Sequence, residues 1–174
     1  MKMKISIIMP VYNEVKTLPI MLKRIEKLDF GIQKEIIIVD DFSTDGSREF
    51  LKKIKNHKIM FHDKNYGKGT AFRTGFKIIT GDIIVIQDAD LEYNPEDLKI
   101  LIKNILDGKT EVVFGSRFLG KNEKILGKNH TLLPLHLAGN KLLSFITSLL
   151  YFSKITDMET CYKMFKKEVL EGVK

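Results

Sequence analysis

The chain is poor in cysteine: its 174 residues include a single one, Cys161. One cysteine excludes an internal disulfide framework and is typical of a reducing compartment, so we expect a cytoplasmic protein. No apolar run reaches the roughly 18 uncharged residues that a membrane-spanning helix needs. A signal peptide, an internal repeat and a low-complexity segment are also lacking in the sequence, which favours an ordinary globular domain.

Acidic residues are in the minority, with 22 Asp and Glu against 29 Lys and Arg and a net charge of +7. Charge alone favours an anionic partner but leaves nucleic acid, lipid headgroups and phosphorylated substrates open. Hydrophobic residues make up 44% of the chain, enough for one domain with a substantial core. We therefore expect a single domain over residues 1–174. A new strand and helix begin just before Lys174, which is consistent with a domain cut short at its C-terminus.

Short apolar runs alternate with stretches of helical spacing, which is typical of a mostly parallel α/β sheet with helices on both faces. The predicted strands are 5–9, 35–39, 58–61, 82–87 and 111–114, and the predicted helices are 18–28, 47–54, 70–79 and 95–106. In such sheets, ligands bind beyond the carboxyl ends of the strands. Polar clusters follow four of these strands, and together they outline one site: Asn13-Glu14, Asp40-Asp41, Asp88-Ala89-Asp90 and Ser116-Arg117.

The carboxylates of Asp88 and Asp90 stand one residue apart where a buried strand ends, and Glu92 follows closely. Oxygen ligands suit Mg²⁺ or Mn²⁺, and such sites usually take one or two carboxylates plus substrate phosphates. The three side chains are therefore candidate metal ligands. A turn or helix cap is the alternative for the pair, and for Glu92 a place in the approach to the helix that begins at Pro95.

After Gly120 the pattern changes. Residues 121–130 are polar and lysine-rich, which predicts a loop, and residues 132–152 are apolar with helical spacing, as two helices or one kinked helix. Lysines followed by an apolar helix suit a segment lying at a membrane surface, on the acceptor side of a site. A helix pair that covers the core remains the alternative.

Several motifs taken together resemble the family 2 glycosyltransferases, and more narrowly the polyprenyl-phosphate (dolichol-phosphate) mannosyl- and glucosyltransferases. The resemblance covers almost the whole chain, in matching order and spacing. It implies a Rossmann-like, nucleotide-sugar-binding fold of the A type. The broader motifs are MPVYNE at 9–14, IVDDFSTDGS at 38–47 and DAD at 88–90, and the narrower ones are KNYGKG at 64–69, FGSRF at 114–118 and TDMETCYK at 156–163.

The resemblance implies a nucleotide-sugar pocket in which carboxylates accept hydrogen bonds from base or ribose groups and a tyrosine packs on the base. For Asp40 the alternative is a loop or cap cluster that opens the next helix. For Lys68, between two glycines, it is a loop that simply leads into a helix. The implied donor-binding residues are Pro10, Tyr12, Glu14, Asp40, Lys68 and Asp88.

The resemblance also implies three catalytic residues. Asp90 would hold the metal that neutralises the leaving nucleoside diphosphate. Arg117 would bind a phosphate through its guanidinium, and a surface ion pair is the alternative for this residue. Asp157 would act as a general base toward a hydroxyl acceptor. Toward a lipid phosphate, which is already largely anionic, it would instead position a substrate. A strand-edge pair with Lys163 is the alternative for Asp157.

The sequence thus predicts a metal-dependent, inverting glycosyltransferase that uses Mg²⁺ or Mn²⁺. It would move mannose or glucose from GDP-mannose or UDP-glucose to a polyprenyl phosphate, at the membrane periphery and without nucleic acid as a partner. A saccharide hydroxyl acceptor, or a nucleotide-sugar-binding module without turnover, are the alternatives. A dinucleotide-binding oxidoreductase is disfavoured, because no Gly-x-Gly-x-x-Gly follows the first strand.

Overall fold

The computed structural model describes residues 3–116 and 134–171. These residues form six strands and six α-helices, with one 3₁₀ turn at Pro95–Asp97. The strands are β1 Lys4–Val11, β2 Gln33–Asp40, β3 Lys58–Phe61, β4 Ile83–Ile86, β5 Val112–Phe114 and β6 Lys163–Lys166. The helices are α1 Leu18–Lys27, α2 Ser47–Leu51, α3 Lys68–Phe76, α4 Leu98–Leu106, α5 Pro134–Leu150 and α6 Glu168–Glu171.

The strands form one sheet in the order β3-β2-β1-β4-β6-β5. Strands β3, β2, β1 and β4 run parallel, whereas β6 is antiparallel to β4. The mostly parallel sheet predicted from the alternating pattern is therefore confirmed. All five predicted strands are present, and the sixth, β6, lies where the sequence suggests a new strand near the C-terminus.

Strand β1 explains why its sequence is apolar without alternation. Consecutive side chains such as Ile7, Ile8 and Met9 are fully buried, so both faces of this strand are covered. Helix α3 approaches β1 closely at Gly75, where an added Cβ would lie 2.7 Å from Cγ2 of Ile8. This close packing fixes the helix whose first residue is Lys68.

The helices differ from their predicted bounds mainly at their ends. Helix α3 begins at Lys68 instead of residue 70, and α2 ends at Leu51 instead of residue 54. The predicted cap of the 95–106 helix is confirmed, because the Asn94 side chain accepts a hydrogen bond from the backbone N–H of Glu96. The segment predicted as two helices or one kinked helix contains the single helix α5.

The chain divides into two compact units, Met1–Val113 with Met164–Lys174 and Phe114–Lys163. The single domain expected from length stays a prediction. The predicted loop 121–130 and the first two residues of the 132–152 segment lie outside the described residues. Within the described ranges, none of the helices is long and apolar enough to span a bilayer.

The amino-terminal ends of the strands carry a partly buried ionic network around Glu35. Its Oε1 accepts hydrogen bonds from the Ser6 hydroxyl (2.5 Å) and the Thr80 backbone N–H (2.7 Å). Its Oε2 lies 2.9 Å from Nζ of Lys58 and 3.2 Å from Nζ of Lys4. Burial alone would raise the pKa of Glu35, but the hydrogen bonds from Ser6, Lys58 and Thr80 outweigh it and lower the pKa to about 2.

We expect Glu35→Gln to lower the free energy of unfolding at pH 7 by roughly 1–3 kcal/mol. Because the folded pKa of about 2 lies below the ordinary 4.5, the stabilisation is complete above 4.5 and is lost as the pH falls toward 2. Urea titrations at a series of pH values measure this. The gap between variant and parent should close in acid, and Glu49→Gln, at an exposed carboxylate on α2, should show almost no gap.

Candidate active site

The carboxyl ends of β1, β2 and β4 border a cleft of about 260 Å³. Parallel strands bring these ends to one edge of the sheet, as the sequence predicts. Of the sequence-predicted site residues, the structure brings Pro10, Tyr12, Glu14, Lys68, Asp88 and Asp90 together here. The other lining residues are Val11, Asp41, Asn65, Gly67, Ala71 and Ala89.

The turn after β4 fixes the two carboxylates of the Asp-Ala-Asp motif. Oδ1 of Asp90 accepts a hydrogen bond from the backbone N–H of Glu92 (3.0 Å), which closes an Asx turn. The amide side chain of Gln87 donates to the carbonyl of Asp88 (2.9 Å). The first carboxylate is nearly buried and the second is half-buried, so both are held in place where a ligand in the cleft would meet them.

The acidic cluster carries a surplus of negative charge. Burial raises the pKa of Asp90, and although the N–H of Glu92 opposes this, the charges of Asp88, Glu92 and Glu14 raise it further. A divalent cation would relieve that repulsion, so the donor set fits a hard cation. Within the described ranges, no three His, Cys, Asp or Glu side chains group as a metal site, which leaves the pair Asp88 and Asp90, completed by ligand oxygens. Glu92 does not line the cleft and stays a predicted third ligand.

Lys68 is a cationic residue that lines this cleft. Its Nζ lies 2.7 Å from Oδ2 of Asp88, although half of the lysine side chain is exposed. It is the first residue of α3, directly after Gly67, which has a φ of +85°. A half-exposed ammonium on a flexible stem at that place is suited to a ligand phosphate.

The adjacent carboxylates of Asp40 and Asp41 have different surroundings. Asp40 is fully buried: its Oδ2 lies 3.6 Å from Nε of Arg48 and has no hydrogen-bond partner in the described part of the chain. Asp41 lines the cleft and Asp40 does not. Asp40, which the sequence predicts to bind the nucleotide, is therefore a buried residue that does not line the cleft.

The loop after β1 is clamped by the loop after β2. Backbone N–H groups of Asn13, Glu14 and Val15 donate to the side chains of Ser43 (3.0 Å), Ser47 (2.9 Å) and Asp45 (2.9 Å), respectively. The clamp holds Glu14 at the cleft, beside Tyr12, whose side chain is 49% exposed. An exposed tyrosine on a fixed loop offers a flat surface to a nucleobase.

Three non-glycine residues of the cleft loops adopt the left-handed backbone conformation. They are Asn13 (φ 56°), Phe42 (φ 68°) and Leu91 (φ 65°), and each directly follows a cleft-lining residue. The conformation costs about 1–2 kcal/mol at such residues, so the surrounding contacts must hold it. No sequence signal indicates it for Phe42 or Leu91.

The predicted catalytic residue Asp157 belongs to the unit Phe114–Lys163 and is 1% exposed. Its Oδ1 accepts a hydrogen bond from the side-chain amide of Asn140 on α5 (2.9 Å). The hydroxyl of Ser144 in turn donates to the amide oxygen of Asn140 (3.1 Å). Asp157 is thus held in a polar seam along α5. Arg117 lies outside the described residues.

Sequence analysis placed Asp41 in the Asp40-Asp41 cluster without giving it a role of its own, and it missed Asn65. Asn65 lies within the quoted KNYGKG motif, where Lys68 and the glycines beside it were singled out. The Asn65 side chain accepts a hydrogen bond from the N–H of Gly67 (3.0 Å), which shapes the turn into α3. An Asn-x-Gly sequence just before a helix signals such a turn and is the signal that would have found Asn65.

A parallel sheet with an Asp-x-Asp turn and a cleft at its carboxyl edge defines the nucleotide-sugar-binding fold of the A type. The chain belongs to glycosyl transferase family 2, because the model of that family matches residues 6–173. This confirms the family predicted from the motifs.

The chain is similar to two curated proteins. It is 32% identical to a dolichol-phosphate mannosyltransferase of Pyrococcus furiosus over 98% of this chain and 48% of the relative. It is 34% identical to an undecaprenyl-phosphate 4-deoxy-4-formamido-L-arabinose transferase of Photorhabdus laumondii, over 72% of this chain and 40% of the relative. The chain thus spans about half the length of the curated relatives it matches.

Among solved structures, the chain resembles glucosyl-3-phosphoglycerate synthase from Mycobacterium tuberculosis in complex with Mn²⁺, uridine diphosphate and phosphoglyceric acid. The TM-score is 0.70 at 21% identity, over 97% of this chain and 57% of that chain. At this identity the likeness is one of fold, and it confirms the A-type fold.

Proposed function

We propose that this chain is the catalytic domain of a metal-dependent, inverting glycosyltransferase that moves a hexose from a nucleotide sugar to a polyprenyl phosphate. The observation that carries the proposal is the cleft at the carboxyl edge of the sheet, which is lined by Asp88, Asp90 and Lys68 and in which Lys68 pairs with Asp88. The names of the two curated relatives, both transferases acting on a polyprenyl phosphate, support the acceptor.

The donor would be GDP-mannose or UDP-glucose. Pro10 and Tyr12 would contact the base, and Glu14 would accept hydrogen bonds from base or ribose groups. Lys68 would leave Asp88 and bind a diphosphate oxygen. Asp40 would act from beneath, by orienting Arg48 and the loop that follows β2.

Mg²⁺ or Mn²⁺, held by Asp88 and Asp90, would neutralise charge on the leaving nucleoside diphosphate. The half-buried carboxylate of Asp90 is suited to this, because burial and then the surrounding negative charge raise its pKa, and a bound cation would offset both effects. The chain's own part is to hold the donor by its base and diphosphate so that the anomeric carbon is open to attack from the opposite side.

A polyprenyl-phosphate oxygen would be the nucleophile. A phosphomonoester is largely dianionic near pH 7, with a second pKa of about 6, so it needs little help from a general base. Asp157, which accepts a hydrogen bond from Asn140, would then position a substrate. Arg117 would bind a phosphate in the same step.

The side chains of helix α5 support a lipid acceptor, because polar residues are buried and apolar residues are exposed, the reverse of the usual arrangement. Asn140 and Ser144 are buried, whereas the large apolar side chains of the helix from residue 138 onward, where side chains are described, are exposed. Large exposed apolar patches mark interaction surfaces, and lysine-rich residues 121–128 precede this helix in the sequence. We propose peripheral contact with a membrane through this face, formed by Leu142, Leu143, Phe145, Ile146, Leu149, Leu150, Tyr151 and Phe152.

A transfer assay tests the proposal. We expect label from GDP-mannose or UDP-glucose, offered separately with Mg²⁺ or Mn²⁺ and a short polyprenyl phosphate, to become extractable into organic solvent. EDTA should abolish the transfer, and restored Mn²⁺ or Mg²⁺ should recover it, because the acidic pair needs a cation to hold the diphosphate.

The same assay contains the outcome that would contradict the lipid acceptor. Donor binding without extractable label, but with label on an added saccharide, would indicate a hydroxyl acceptor. Donor binding with neither transfer nor donor hydrolysis would indicate a binding module.

A further inference from the structure

His62 directly follows β3 and all its polar groups have partners. Nδ1 lies 2.6 Å from Oδ1 of Asp41, and Nε2 lies 2.9 Å from Oγ1 of Thr74 on α3. The backbone N–H donates to the carbonyl of Asp40 (2.9 Å), and the carbonyl accepts from the Arg48 guanidinium (2.8 Å). The ring is nearly buried and cannot rotate without breaking two contacts.

These contacts fix the proton positions. The carboxylate of Asp41 accepts hydrogen bonds only, so Nδ1 of His62 carries the proton toward it. In the neutral ring Nε2 then accepts from the Thr74 hydroxyl. The imidazole therefore links the carboxylate after β2 to a side chain on α3.

Asp41 uses both oxygens to hold the backbone before α3. Oδ1 accepts from the N–H of Tyr66 (2.9 Å), and Oδ2 accepts from the N–H of Gly67 (2.7 Å). Burial raises the pKa of Asp41, but the bonds from Tyr66, His62 and Gly67 outweigh it and lower the pKa. The carboxylate is thus a charged anchor for the turn that delivers Lys68 to Asp88.

We propose that His62 is a positioning residue of the nucleotide cleft: it orients Asp41, which in turn fixes the backbone of Tyr66 and Gly67 and so places Lys68. The proposal deepens the proposed function and rests on it for the identity of the ligand, a nucleoside diphosphate. Its structural part, the hold on residues 66 and 67, is independent of any ligand.

The chain offers a matched set of variants. His62→Leu removes the donor, whereas His62→Asn keeps an N–H donor near the place of Nδ1. His57 stands at the other end of β3, is buried to a similar degree, and pairs with Glu26 (2.7 Å), so His57→Leu is the control. Thermal unfolding of each variant separates local effects from loss of the fold.

Two measurements test the proposal on the whole chain. Amide hydrogen exchange without ligand reports the N–H groups of Tyr66 and Gly67, and calorimetry with GDP and with UDP, each with Mn²⁺, reports the Kd. For His62→Leu we expect exchange at these two amides to rise at least about tenfold and the better nucleotide to bind about tenfold more weakly. His62→Asn should recover most of both, and His57→Leu should change neither.

Each outcome of the two measurements either supports the proposal or overturns it. Unchanged exchange at residues 66 and 67 would overturn the proposal, as would faster exchange with an unchanged Kd, or a rise spread evenly over the protein. Faster local exchange in His62→Leu, with neither GDP nor UDP binding to the unsubstituted chain, would support the positioning and would instead overturn the proposed function.

Discussion

Asp90→Asn should reduce sugar transfer by about 100- to 1,000-fold while leaving the protein at least as stable as its parent. The amide cannot supply the charge that a divalent cation needs, so charge on the leaving diphosphate stays uncompensated. Initial rates of transfer into the organic phase, at saturating donor and across a Mn²⁺ series, measure the loss. Higher Mn²⁺ should recover part of it if Asp88 still binds the ion.

Asp90→Asn should raise stability or leave it unchanged, although it lowers sugar transfer. The folded-state pKa of Asp90 is raised, so the ionised carboxylate is less favourable in the folded protein than in the unfolded chain. Above the ordinary pKa this opposes folding, and a neutral amide removes the repulsion from Asp88 and Glu14. The melting temperature of Asp90→Asn should therefore equal or exceed that of the parent near pH 7.

Asp107→Asn is the matched control for this prediction. Asp107 follows α4 and pairs with Lys109 at 2.9 Å in an exposed ion pair outside the cleft. Its replacement should change neither transfer nor stability appreciably. Loss of transfer in Asp90→Asn together with a markedly lower melting temperature would mean that the carboxylate serves the fold and not the reaction.

The central strands β1, β2 and β4 were predictable because their apolar runs are unbroken and buried. Each fully buried run, such as the one through Ile7 and Ile8 in β1, admits few alternatives to a strand covered on both faces. The parallel order then brings the polar loops to one edge, so the sequence could predict that Asp88 and Asp90 lie together there, where the structure has them lining one cleft. Their roles at that cleft stay predictions.

The different contacts of Asp40 and Asp41 were not predictable from the sequence. Two adjacent carboxylates look alike in sequence, and their difference comes from tertiary contacts. Asp40 is buried beside Arg48, whereas Asp41 holds His62 and the backbone of Gly67, which lie 21 and 26 residues further along the chain. The contacts of Asp41 depend on how β2, β3 and α3 pack, and hydrophobic periodicity does not report them.

Helix α5 shows a second limit of the sequence. The segment was predicted as helical, but the sequence left open whether it lies at a membrane surface or covers the core. Its polar stripe is turned inward, where Ser148 bonds to the backbone of Ile155 and Ser144 accepts from the N–H of Met158. The burial of polar groups with partners is what directs the apolar residues outward.

The other large effect is expected for binding to a lipid surface, from substitutions on the exposed apolar face of α5 and the residues that follow it. Leu149 is 64% exposed and Phe152 is 95% exposed. Each such side chain contributes about 1.5–3 kcal/mol when it leaves water, so replacing both with Glu should weaken binding to a lipid surface by at least about 100-fold. Co-sedimentation with vesicles of mixed phosphatidylglycerol and phosphatidylcholine measures the change, together with transfer to a vesicle-borne polyprenyl phosphate.

Ile100→Glu provides the control, because Ile100 on α4 is 67% exposed but lies outside this apolar face. It should leave vesicle binding unchanged, and all three substitutions should leave the melting temperature nearly unchanged since the side chains are exposed. Transfer to a water-soluble short-chain acceptor should survive Leu149→Glu with Phe152→Glu, because the donor cleft is untouched. If vesicle binding persists in that double variant while sedimentation velocity shows a dimer dissociating, the face is covered by a second copy of the chain and not by lipid.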